Sequence, residues 1–467
     1  MERLSGLDAS FLYLETSTQL LHVCGVIELD PATMPGGYSF EKLQRELGAR
    51  IPQLPGFRRK VKDSVLNVGH PVWVDDDDFD IERHCHRVAV PEPGDDAELS
   101  RLCAHIASQQ LDRNKPLWEM WVIEGLADGR VAVMSKMHHA GVDGVTGANM
   151  ISELCSLEPE APPIDTEEGA DAAGSGGTVE IAIGGLAEMA SRPVKFARAL
   201  SNSIPVLPAW VTRAQKGEAM PAPFTAPRTP FNGTITGHRS IAWVQLDLDR
   251  VKAVKNAFGV KVNDVVLAMV ASSLRMYLED HGELPESSLV AMVPVSVHNK
   301  SDRPGTNKVS GMFSELRTDI EDPAQRLKAI AEANEVSKEH NEALGASLLQ
   351  DWAQFAGPAL FGAAMRIYAT LKLAERHPVI HNLVVSNVPG PPVPLYFLGA
   401  RITGLFPLGP VFHGAGLNIT VMSREGQLDV GLIACPELVP DLWSLAETFP
   451  DALDELVTAS GSIPDEG

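Results

Sequence analysis

His138-His139-Ala140-Gly141-Val142-Asp143-Gly144 gathers two imidazoles, a carboxylate and two glycines into one short stretch. Imidazole exchanges a proton near neutral pH, so a histidine held on a loop is a candidate general base. Asp143 offers a charge partner for it, and Gly141 and Gly144 permit a tight turn with close backbone packing. The same residues also fit a reading without chemistry, in which one histidine is packed and Asp143 caps a helix.

The elements around the stretch limit what it can do. Arg130 to Met137 reads as a strand and Val145 to Leu157 as a helix, so the seven residues fall on a strand-to-helix loop, where a scaffold commonly presents reactive groups. Along the strand Val131, Val133, Ser135, Met137 and His139 share one face, and Ala132, Met134, Lys136 and His138 share the other. The two histidines therefore point apart and cannot both ligate one metal. His139 and Asp143 have the spacing of a helical ligand pair, but the glycines favour a loop.

The 467 residues suggest two or three domains. With 39 basic and 61 acidic residues the formal charge is -22, a field that disfavours nucleic acid and uniformly anionic membranes but not neutral lipid. Cys24, Cys85, Cys103, Cys155 and Cys435 are scattered and odd in number, as expected of reduced cytosolic thiols. The start, Met1 to Asp8, lacks a secretory signal's basic region, and no run of about 18 apolar residues marks a spanning helix. The expected location is cytoplasmic.

Strands are expected at His22 to Leu29, Pro116 to Ile123, Ser240 to Leu248, Leu289 to Val297 and Asn382 to Ser386. Leu417 to Met422 and Leu428 to Ala434 read as a hairpin through Arg424-Glu425-Gly426. Helices are expected at Ser39 to Ile51, Asp95 to Leu111, Asp249 to Phe258 and Asn263 to Leu278, the last with Asn263 as N-cap and Asp264 favouring its dipole. Glu158 to Thr178 has the composition of a disordered linker. Val179 to Trp210 carries a helical apolar stripe, which suits a lipid-facing surface helix or an ordinary packing helix. Asp75 to Asp78 reads as a solvated turn, and His84-Cys85-His86 lacks the second ligand cluster of a zinc site. The simplest architecture is α/β, with two halves of similar size: 1–157, a crossover over 158–230 that ends in the proline-rich Pro221 to Pro230, and 231–467.

Several chemistries are missing. There is no G-x-S-x-G elbow, no phosphate-binding P-loop and no dinucleotide fingerprint. A histidine without a resident nucleophile suits base-assisted attack by a substrate group. An alcohol attacks a carbonyl poorly until a neutral imidazole takes its proton. That describes direct acyl transfer from a thioester, with no acyl-enzyme.

The heptad His138 to Gly144 resembles the HHxxxDG motif of the coenzyme A-dependent acyltransferase superfamily. The rest of the chain resembles one branch, the bacterial wax ester synthase/diacylglycerol acyltransferases. The matching segments are Leu4-Ser5-Gly6-Leu7-Asp8-Ala9-Ser10-Phe11, Pro116-Leu117-Trp118, Asn263-Asp264, Val293-Pro294-Val295-Ser296, Asn387-Val388-Pro389-Gly390-Pro391 and Gly416-Leu417-Asn418-Ile419-Thr420. HHxxxDG alone is moderately specific; its order with the other segments is strongly specific. The resemblance implies two chloramphenicol acetyltransferase-like subdomains with mixed sheets and a channel between them. It implies His139 as the general base, His138 in support, and Asp143 bracing the loop through an arginine. Gly144, Asn263 and Asp264 would contact substrate or shape the channel, and the Asn387 to Pro391 turn would be structural or channel-lining. His298 departs from the pattern, standing where many relatives have an arginine.

The expected reaction is transfer of a long-chain acyl group from acyl-CoA, a co-substrate and not a prosthetic group, to a lipid alcohol. Diacylglycerol would give triacylglycerol, and a fatty alcohol would give wax ester. Peripheral association with the inner membrane or lipid inclusions is expected because the products are insoluble. Two alternatives stand beside it: a condensation-type transferase fed by a carrier-protein thioester, and a silent lipid-binding paralogue.

Overall fold

Several helices of this protein begin where a short polar side chain takes up an orphan backbone N–H. The computed structural model describes residues 2–63, 70–141, 154–160, 206–296, 309–344 and 358–461. Helix α1 is Gly6–Leu14, with the Ser5 hydroxyl accepting from the Asp8 N–H. Helix α2, Phe40–Arg50, starts at Ser39 and α3, Asp96–Ala107, at Asp95, each by the same device. Then come α4, Val206–Gln215, and α5, Leu248–Phe258, the latter capped by Asp247 and ended by Gly259 at φ 70°. Helices α6, Val262–Asp280, α7, Pro323–Leu344, α8, Pro358–Thr370, and α9, Leu442–Ala459, follow. The cap of α6 differs from expectation. Lys261, not Asn263, holds the N-cap, because the Asp264 carboxylate reaches back to the Lys261 N–H at 2.9 Å and closes the end from inside the first turn.

Two mixed sheets carry the molecule. In chain order the strands are β1 His22–Asp30, β2 Cys85–Ala89, β3 Trp118–Glu124, β4 Val131–His138 and β5 Cys155–Ser156. They continue as β6 Ser240–Asp247, β7 Val290–Ser296, β8 Val309–Glu315 and β9 Leu383–Pro389. Last are β10 Tyr396–Phe397, β11 Ala400–Leu408, β12 Leu417–Arg424 and β13 Gln427–Ala434. The first sheet runs β2-β3-β4-β1-β11-β10-β5 and the second runs β8-β7-β9-β12-β13-β6. The pair β2–β3 is parallel in the first, as are β7–β9 and β9–β12 in the second. The expected late hairpin is present: β12 and β13 pair antiparallel through Glu425-Gly426, both with positive φ, the conformation a two-residue hairpin turn needs.

The expected boundaries at 157 and 231 describe chain order rather than the sheets. Strand β11 belongs by sequence to the second half but pairs with β1 and completes the first sheet. Its Ala400 and Ile402 join the core of Leu43, Leu47 and Val133, and its Phe406 and Leu408 enter a core shared between the sheets with Met134, Trp243 and Ile433. Leaving the second half costs the chain a crossover and gains burial on both faces.

Strand β4 is buried along its whole length. Val131, Val133 and Met137 pack on one side, Ala132 and Met134 on the other, which is the expected alternation. The second half is built around α6, whose Val265 to Ala271 are buried beneath the second sheet and α9. Among the described residues no single helix is long and apolar enough to cross a membrane. Most of the linker expected at 158–178, and the 179–210 segment up to 205, lie outside the described residues, as do Val142 to Glu153.

Candidate active site

Strand β4 ends at the histidine pair. The His138 N–H donates to the Leu117 carbonyl at 3.0 Å, so the Pro116-Leu117-Trp118 segment borders the motif directly. The next amide, His139 N–H, donates to the Leu21 carbonyl at 2.8 Å. Gly141 N–H closes a turn on the His138 carbonyl at 3.0 Å. Asp143 and Gly144 lie outside the described residues. Gly141 is not required by this turn: its φ is not positive, and an added Cβ would meet Trp73 at an ordinary 3.6 Å.

The two rings have different surroundings. His139 is half-buried and stacks on Phe11 of α1, with centroids 4.0 Å apart and planes at 21°. His138 is buried, and its Nδ1 accepts the Ala140 N–H at 3.0 Å, which leaves the proton of a neutral ring on Nε2. That Nε2 lies 3.5 Å from Glu15 Oε1. His22, opposite His138 in the β1–β4 register, places its Nε2 3.2 Å from the same oxygen. Neither approach is aligned as a straight hydrogen bond. Arg113 donates to Glu15 Oε2 at 2.7 Å and to the Leu12 carbonyl at 2.8 Å. Burial pushes the Glu15 carboxyl up, but the two histidines more than offset it and hold it well below the usual carboxylate range. Burial holds His22 down at about 4, with Glu15 opposing.

Phe11, Glu15, His22 and Arg113 were not singled out from the sequence. Phe11 ends the Leu4 to Phe11 segment, and Glu15 follows it by one helical turn, which puts both on the face of α1 that meets the histidines. Only the β1–β4 register brings His22 there, and that pairing has no local signature.

Asn263 and Asp264 fall within the second half's own network. Asp264 is buried; its carboxylate accepts from the Lys261 N–H and from Asn334 Nδ2 at 2.9 Å, and Asn334 in turn accepts from Ser314 at 2.5 Å. Asn263 Oδ1 accepts from Asn387 Nδ2 at 3.3 Å, so two segments far apart in the chain meet there. The aspartates at 75–78 and His84 form no ion site: His84 Nδ1 binds the Trp118 carbonyl and the ring stacks on Trp118. Among the described residues no group of three His, Cys, Asp or Glu side chains could hold a metal. All five cysteines are free thiols. Burial pushes Cys24, Cys85 and Cys155 up to about 12 and raises Cys103 and Cys435 too, so none is poised as a thiolate nucleophile. What the site presents is an imidazole held by stacking, beside a buried charge network.

Residues 4–266 match the wax ester synthase/diacylglycerol acyltransferase catalytic domain, and residues 305–457 match the WS/DGAT C-terminal domain. A protein of Mycobacterium tuberculosis (strain ATCC 25618 / H37Rv) named as a diacylglycerol O-acyltransferase is 53% identical over 466 residues, covering 100% of this chain and 92% of its own. Another so named from that strain is 37% identical, covering 98% and 100%. The wax ester synthase/diacylglycerol acyltransferase from Marinobacter aquaeolei VT8 superposes with TM-score 0.71 at 30% identity, over 99% of this chain and 100% of that one. The first condensation domain of the CDA synthetase shares the fold, with TM-score 0.58 at 17% identity over 100% and 98%.

Proposed function

The chain belongs to the wax ester synthase/diacylglycerol acyltransferase family and is an acyltransferase, and from that premise we propose that it moves a long-chain acyl group from acyl-CoA to a lipid alcohol, with His139 as general base. The observation that carries this reading is the position of His139 at the exit of a fully buried strand, its ring braced on Phe11 and only half-buried, while its neighbour's ring is buried, with Nδ1 bonded to the Ala140 N–H and Nε2 facing Glu15. Diacylglycerol is the acceptor proposed first, from the names of the relatives. A fatty alcohol is the second, from the name of the structural neighbour. The condensation-domain likeness speaks to the fold, so the donor proposed is acyl-CoA.

The step balances with two substrates. A neutral His139 nitrogen takes the acceptor's hydroxyl proton as the oxygen bonds to the thioester carbonyl carbon. The tetrahedral intermediate collapses, the C–S bond breaks, and the imidazolium returns the proton to the departing sulfur, giving ester and free CoA. No acyl-enzyme forms and no prosthetic group is needed. Asp143 is proposed to brace the loop, and Gly144 and Asn263 to shape the channel between the halves, with Asp264 contributing only through the start of α6 that it closes. Peripheral attachment to a membrane or lipid inclusion is part of the same reading, because acceptor and product are insoluble.

The test supplies purified protein with palmitoyl-CoA and either dioleoylglycerol or hexadecanol, following thiol release and neutral lipid together. Wild type is expected to form product with at least one acceptor, and His139→Ala to lose about 10²- to 10⁴-fold in rate, the range general-base catalysis supplies. Equal rates in the two proteins would remove His139 as the base.

A further inference from the structure

Glu15 closes α1 and is buried, its side chain 4% exposed, at the one point where His22, His138 and Arg113 converge. A buried carboxylate is destabilising unless it is well partnered, and an apolar residue would pack there at lower cost. We infer that Glu15 is a positioning residue for the acyl transfer, orienting His138 so that this ring holds the turn on which His139 sits. The inference rests on the reading of His139 as base and adds the means by which that base is kept in place.

The chain of contacts is short. Arg113 grips one carboxylate oxygen and the α1 backbone at Leu12, which fixes the carboxylate relative to the helix. The other oxygen faces the Nε2 of both His138 and His22. A negative charge there favours the proton on His138 Nε2 and leaves Nδ1 as an acceptor. That Nδ1 takes the Ala140 N–H, the amide next after His139, while the His138 carbonyl takes the Gly141 N–H. The two amides that follow His139 are thereby both tied to His138, one to its ring and one to its backbone carbonyl. Because Phe11 lies one turn before Glu15 on α1 and stacks on His139, the same helix braces both histidines, one by a ring face and one by a charge. His138 acts here as the link between Glu15 and the turn, its Nδ1 hydrogen-bonded to the Ala140 N–H and its Nε2 facing the carboxylate at 3.5 Å.

The experiment measures kcat and the palmitoyl-CoA KM, with melting temperature, for wild type, Glu15→Gln, His138→Gln, the double variant and His139→Ala. In Glu15→Gln the charge is lost, and if the amide oxygen still faces the histidines its NH2 opposes the Arg113 donor. The expected result is a kcat lower by about tenfold or more with KM within about twofold, since a small displacement of a reacting group costs rate rather than binding. The double variant should be no slower than the slower single variant, because both changes break one pathway. Glu15→Asp, which keeps the charge with a shorter reach, should recover part of the rate and is the fallback if Glu15→Gln does not fold. The inference is overturned by wild-type kcat in Glu15→Gln, by a raised KM at unchanged kcat, by losses that multiply in the double variant, or by a rate loss equal to the unfolded fraction. His139→Ala separates the two readings. A wild-type rate there removes the base and this inference with it, whereas an inactive His139→Ala beside an unimpaired Glu15→Gln removes only the role of Glu15.

Discussion

The end of β4 and the start of α6 both carry residues that match the family's segments, but they satisfy their polar groups in different ways. At α6 the Asp264 carboxylate is spent within its own half, on the Lys261 amide and on Asn334, which is itself held by Ser314. At β4 one histidine is buried, with Nδ1 bonded to the Ala140 N–H and Nε2 facing Glu15, while the next is braced through its ring face and stays half-buried. A matched segment thus marks a constrained position without saying whether folding or reaction imposes the constraint. The partners of the side chain make that distinction.

The largest test of the contrast sets His139→Ala against Asp264→Ala. The first should remove activity and leave the melting temperature nearly unchanged. The second leaves the buried Asn334 donor without its acceptor and opens the cap at the exposed Lys261 amide, which should cost about 1–3 kcal/mol of stability, most of it at Asn334. Its activity should fall with the folded fraction. Thermal unfolding and turnover measured on the same samples check both. An Asp264→Ala protein of unchanged stability and abolished turnover would move Asp264 from the fold to the reaction.

Much of this was legible because it is local. Ser39 and Asp95 open the helices expected there, and a period of two assigns β4 its faces, whereas α1, with its Ser5 cap, was not legible as a helix. The cap of α6 slipped by two residues because Asp264 acts backwards along the chain, from the helix's first turn onto Lys261. Glu15 and His22 were not legible at the site, since only the β1–β4 register and the α1 packing bring them to His138, and neither has a local signal. Strand β11 escaped for the same reason. Its pairing with β1 is a long-range choice made by two buried faces, which a sequence period cannot express.

Buried histidines give the middle-sized test. Burial holds His22 at about 4 beside Glu15, and holds His381 at about 4 with neither ring nitrogen hydrogen-bonded among the described residues. Free histidine titrates near 6.5. Between those values the unfolded chain binds protons that the folded chain refuses, so stability falls as pH drops through that window and is fully present above it. His381→Phe keeps a ring beside Phe313 and removes the titration. It should flatten the acid limb of a stability-versus-pH curve, with its gain largest near pH 4 and smaller at pH 8. An equal gain at both pH values would show that packing, not protonation, sets the difference.

The smallest expected effect lies within the motif itself. Gly141 stands between His139, the proposed base, and the segment that continues to Asp143, so a glycine there invites a conformational explanation. Its backbone does not supply one. The φ is not positive, the amide bond to the His138 carbonyl survives any side chain, and a Cβ would meet the Trp73 ring at 3.6 Å, an ordinary contact. Gly141→Ala should therefore leave kcat within about twofold, and it should change stability by less than about 1 kcal/mol, with a gain as plausible as a loss because alanine also narrows the unfolded ensemble. Turnover and thermal unfolding decide it. A large loss of turnover would mean that the turn moves through a conformation closed to alanine during the reaction. The bracing of this turn by His138 would then describe only the resting state.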